Sequence, residues 1–166
     1  LLNYGGPDGE IGASMRYLSQ RFTAPNRVCM AVLTDVATEE LGHLEMVSTI
    51  VHQLTANLTV EEIENQGFAD YYVDHAVGIW PQSAGGIPFN SCEFQSKGDP
   101  ITDMFESMAA EQKARSTYDN ILRVVRDIPE IADPIRFLRA REVVHFQRFG
   151  EALQSLQDQL NSKNFY

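Results

Sequence analysis

Two short segments of this chain pair a carboxylate with an imidazole one helical turn apart: Glu40-Leu41-Gly42-His43 and Glu142-Val143-Val144-His145. Residues three apart on a helix share a face, so each segment offers an oxygen and a nitrogen donor to the same neighbour. A lone glutamate precedes each of them, Glu10 by 30 residues and Glu111 by 31. All of these groups interrupt apolar stripes. Glu40 and His43 fall between Val36 and Val47, Glu111 between Met108 and Tyr118, and Glu142 with His145 between Leu138 and Phe149. Glu10 shares a face with Ser14 and Tyr17.

Acidic groups on core faces need a compensating charge. An ionised carboxylate taken out of water without a partner costs several kcal/mol, and several gathered together repel one another. Arginine or lysine on the same stripes is sparse; Arg115 and Arg141 are close enough in sequence to pair with some of these groups but cannot neutralise them all. Two divalent cations would remove both penalties, and carboxylate with imidazole suits manganese and iron alike. Glu39 and Glu45 flank the first motif on other faces and read as solvated, while His52 and His75 read as surface or loop histidines.

Four long helices are needed to bring these side chains together, and hydrophobic periodicity supplies them. The first covers residues 10–22, after the breaker run Gly5-Gly6-Pro7-Asp8-Gly9; the second covers 27–54, with Cys29, Leu33, Val36, Val47, Ile50 and Leu54 as its stripe. The third covers 100–126, through Ile101, Met104, Phe105, Met108, Tyr118, Leu122 and Val125. The fourth starts at Asp133-Pro134, a capping residue followed by Pro at the first helical position, and runs to Leu160. Between the pairs, residues 55–99 form a long crossover. Within it Thr59 and Glu62 predict a capped short helix ending at Gly67, and the stretch after Tyr71 predicts two short strands. Two helix pairs joined by one long crossover make an all-α, ferritin-like four-helix bundle, one domain over 1–166. A lone-Glu helix followed by a Glu-x-x-His helix, used twice, is the known ligand pattern of di-iron and di-manganese carboxylate bundles.

Composition narrows the partners. With 43% apolar and 22% charged residues the chain is of ordinary globular make-up, and its net charge of −10 argues against nucleic-acid binding. No apolar run is long enough to span a membrane, and Leu1-Leu2-Asn3-Tyr4 does not open a secretory signal. Cys29 and Cys92 are too few for a disulfide framework and read as packing residues in a reducing setting.

Several long segments resemble the manganese catalase family, especially its short spore-coat members of the CotJC type. They are Gly5-Gly6-Pro7-Asp8-Gly9-Glu10, Arg16-Tyr17-Leu18, Thr38-Glu39-Glu40-Leu41-Gly42-His43, Ala109-Ala110-Glu111-Gln112-Lys113 and Arg141-Glu142-Val143-Val144-His145. The resemblance implies two manganese ions held by Glu10, Glu40, His43, Glu111 and His145. It implies Glu142 just outside the coordination shell as proton acceptor and donor, and Tyr17 as a supporting hydrogen-bond donor. It further implies hydrogen peroxide as substrate, dioxygen and water as products, and a homo-oligomer, commonly a hexamer. The setting would be the cytoplasm or the spore coat, with other coat proteins as partners. One departure stands out: some full-length catalases place Arg immediately before the third Glu, where this chain has Ala110, and Arg115 or Arg141 would then substitute in holding Glu142. Two other readings share these residues: a di-iron oxidase or ferroxidase, and a spore-coat structural protein with a vestigial metal site.

Overall fold

The computed structural model describes residues 2–72, 79–83 and 87–162. Six α-helices appear in it: α1 (Leu2–Gly5), α2 (Glu10–Gln20), α3 (Arg27–Thr55), α4 (Val60–Asn65), α5 (Pro100–Val125) and α6 (Pro129–Asn161). Their starts follow local chemistry. The Asn26 side chain caps α3 by accepting from the Cys29 amide, and Asp99 caps α5 by accepting from Thr102, with Pro100 directly inside. Thr59 and Glu62 cap each other's backbone at the start of α4, as the sequence predicts.

The short connections 21–26 and 126–128 pair α2 with α3 and α5 with α6. Further packing of α3 on α6 and of α2 on α5 closes the four long helices into a ferritin-like bundle. Its interior has two apolar clusters. One gathers Tyr17, Cys29, Leu33, Val36, Met104, Phe149 and Leu153; the other gathers Tyr4, Val47, Ile79, Tyr118, Ile135 and Leu138. The acidic and imidazole groups form a polar layer between them.

Some expectations need correction. The glycine-rich start is not merely a breaker: α1 forms there, and Gly5 lies against the crossover so closely that a Cβ would sit 2.2 Å from the Gln82 amide nitrogen. The fourth helix begins earlier than Asp133, with Pro129 in its first turn and Pro134 inside it. The bond that Pro134 cannot make belongs to the Glu130 carbonyl, on an exposed turn where water can substitute. The two strands are absent among the described residues, which show an isolated antiparallel bridge between Gln82 and Pro88 and 3₁₀ turns at Ala69–Tyr72 and Ser91–Glu93. Residues 73–78, His75 included, and 84–86 lie outside the described residues. Leu54, Phe105 and Leu160, assigned to apolar stripes, are more than half exposed.

Candidate metal centre

Glu10 enters from the first turn of α2, Glu40 and His43 from mid-α3, Glu111 from α5, and Glu142 with His145 from α6. All six are at most 2% exposed. One donor atom each from Glu40, His43, Glu142 and His145 lies within 4.8 Å of the others. Glu40 is central: its Oε2 is 2.9 Å from His43 Nδ1, and its Oε1 is 2.6 Å from His145 Nδ1. Around His43 Nδ1, Glu10 Oε2 and Glu142 Oε1 each approach to 3.7 Å. Around His145 Nδ1, Glu111 Oε2 approaches to 3.4 Å. The two imidazoles stack with centroids 5.4 Å apart. Two imidazole–carboxylate groups thus meet at one shared carboxylate, Glu40.

Two tyrosines fix the lone glutamates, and each does so from the opposite half. Tyr17 stands seven residues after Glu10 and donates its hydroxyl to Glu111; Tyr118 stands seven residues after Glu111 and donates to Glu10. Sequence reasoning placed Tyr118 only in an apolar stripe. The repeated Glu-to-Tyr spacing was the signal that could have found it.

The outer side of the cluster holds a second correction. Glu39 is not a freely solvated residue: its Oε2 lies 3.2 Å from His145 Nε2 and its Oε1 lies 3.6 Å from His43 Nε2. Arg141 grips both oxygens, with Nε at 2.5 Å and Nη2 at 3.1 Å. Arg115 instead donates to Gln112 and Asp119. Neither arginine proposed for Glu142 therefore makes an ion pair with it among the described residues. A cation that sequence reasoning did not assign, Arg16, is 1% exposed and lines the same small cleft as Glu10, Tyr17, Ala110, Glu111 and Glu142. Its guanidinium donates to the Pro7 carbonyl at 3.1 Å and reaches Asp8 at 3.5 Å.

Without metal, the cluster must distribute protons. Burial, reinforced by the charge of Glu40, holds the carboxyls of Glu10 and Glu142 well above the usual range and raises Glu111 as well. For Glu40, burial is outweighed by its contacts with His145 and His43, which hold it low. Burial opposes a charge on His145 too, yet Glu111 and Glu40 push its imidazole up to about 10. Burial and the Glu111 charge raise the Tyr17 hydroxyl.

The donor set fits a metal. Glu40 Oε1, Glu111 Oε2, Glu142 Oε1 and His145 Nδ1 are buried with no well-aligned hydrogen-bond partner among the described residues. Buried polar atoms are nearly always satisfied, so orphans concentrated in one cluster call for a cation. Oxygen and imidazole donors in this number match divalent first-row metals.

Comparison with known proteins agrees with this chemistry. The family described as manganese containing catalase matches residues 1–163. Protein CotJC of Bacillus subtilis is 45% identical over 163 residues, covering 98% of this chain and 85% of that one. A probable manganese catalase of Clostridium acetobutylicum is 30% identical, covering 97% of this chain and 71% of its own length. Among solved structures, KatB, a manganese catalase from Anabaena, superposes with a TM-score of 0.83 at 28% identity, covering 99% of this chain and 73% of that chain.

Proposed function

Because the chain belongs to the manganese-containing catalase family, we propose that it disproportionates hydrogen peroxide to dioxygen and water. The ions would be two, held by Glu10, Glu40, His43, Glu111 and His145. The observation that carries this reading is the split of Glu40, whose two oxygens face two different imidazoles, each beside a further carboxylate. A single-metal site would not need that division.

Bound manganese supplies the two-electron cycle: one peroxide yields two electrons and two protons as dioxygen forms, and another takes them up as its O–O bond breaks to give two waters. The chain's own residues hold the protons and the ligands. Tyr17 and Tyr118 fix Glu111 and Glu10, so each half-site keeps its geometry. Glu142, buried with its Oε1 3.7 Å from His43 Nδ1, would as a carboxylate take up a proton from the first peroxide and return it to the second. Such a group is typically worth about a hundredfold to ten-thousandfold in rate. The apolar clusters above and below keep bulk water from the layer.

The Glu142→Gln variant tests this assignment. Metal content should be retained while oxygen release falls by about a hundredfold or more. If metal and oxygen release vanish together, Glu142 is a ligand. Since its donors suit iron equally, the same preparations should be assayed for ferrous oxidation; iron content with that activity would favour the di-iron oxidase reading. A preparation replete in manganese and inert towards peroxide would favour a structural coat protein with a vestigial site.

A further inference from the structure

The two Glu-x-x-His segments have a further symmetry, just outside the donors. Four residues before His43 stands Glu39, and four before His145 stands Arg141. That spacing places each on the outer flank of its histidine, one helical turn back. The packing of α3 on α6 brings these two flanking residues together, and Arg141 holds both oxygens of Glu39. A fork-on-carboxylate pair fixes the carboxylate plane as well as its position. Each oxygen then has one further neighbour, His145 for Oε2 and His43 for Oε1.

We infer that Glu39, clamped by Arg141, is a positioning residue for both histidines and makes the His145 half-site the tighter of the two. The inference rests on the metal-centre reading above. A carboxylate beside Nε2 favours the proton on that nitrogen and leaves the Nδ1 lone pair for the interior, where Glu40 waits. It also makes the imidazole a stronger donor to a metal at Nδ1. The effect is unequal. His145 Nε2 is within hydrogen-bonding distance at 3.2 Å, although its N–H is not yet aimed along the line, whereas His43 Nε2, at 3.6 Å, is beyond it. The half-site of His145 and Glu111 therefore gains more than that of His43 and Glu10.

Manganese titration by calorimetry, with metal content measured on the same samples, tests this. Glu39→Gln keeps the shape and removes the charge. It should weaken one of two binding events by about tenfold to a hundredfold, the usual cost of losing such a partner, and change the other much less. A general loosening of the bundle would instead weaken both. Combined with Glu111→Gln, the loss should be less than additive, because both act on one half-site; combined with Glu10→Gln it should be additive. Arg141→Gln, which leaves the carboxylate charged but unclamped, should give a smaller loss at the same site and guards against poor folding of Glu39→Gln. A wild-type chain that takes up no manganese would sink the metal-centre reading, and this inference with it. Two ions bound by the wild type, with both variants matching it at each step, would overturn this inference alone.

Discussion

A single hydroxyl shows how much depends on individual residues in a layer this dry. Tyr118 is fully buried, and its proton goes to Glu10. Replacing it with Phe leaves that carboxyl oxygen without a donor, which should cost about 1–3 kcal/mol of stability in urea denaturation. Protons set a second residue-scale prediction. His145 has a folded-state value raised to about 10, so its stabilising charge is fully present below about pH 6.5 and is lost as pH rises towards 10. Glu10 and Glu142, also raised, lose their contribution in the same direction as pH climbs above the ordinary carboxylate range. The metal-free protein should therefore become less stable from mildly acidic to alkaline pH, and manganese should counter the loss by replacing protons. Melting temperatures across that range, with and without manganese, check this. The polar intrusions into the stripes were legible in sequence because helical period alone defines the core face. Tyr118 and Glu39 were not. A tyrosine on an apolar stripe looks like packing, and what draws Glu39 inward is an arginine on another helix.

At the scale of elements, local capping chemistry was readable and long-range docking was not. Thr59 with Glu62, and Asp99 with Pro100, announce helix starts through side chains a few residues away. Asp133-Pro134 carries the same outward signal and misleads, because α6 is already established at Pro129 and packing of Ala132 and Ile135 holds the earlier turn in place. Since Pro134 thus sits inside a helix, Pro134→Ala should restore a backbone bond to Glu130. The expected gain is about 1–2 kcal/mol, after the entropy released to the unfolded chain is counted. Chemical denaturation of the variant checks it; a loss of stability would restore the later start. The crossover was unreadable for a different reason. Its form is set by what it lies on, as where Tyr4 donates to the Ile79 carbonyl and Gly5 meets Gln82, contacts that pair residues far apart in sequence.

For the molecule as a whole, the bundle and its order of helices followed from the sequence because four amphipathic stripes admit few arrangements. No helix among the described residues is long and apolar enough to cross a membrane. Several large apolar side chains remain outside the core, among them Phe22 at 79%, Val28 at 57% and Val124 at 82% exposure. By family resemblance a homo-oligomer is expected, so sedimentation should find an assembly, a hexamer, rather than a monomer of 18.7 kDa. The most direct test of the whole account is oxygen release from hydrogen peroxide, recorded alongside elemental analysis of the same native preparation. The native protein should carry about two manganese ions per chain and release one dioxygen for every two peroxides consumed. A preparation with its metal sites filled that leaves peroxide untouched would contradict it.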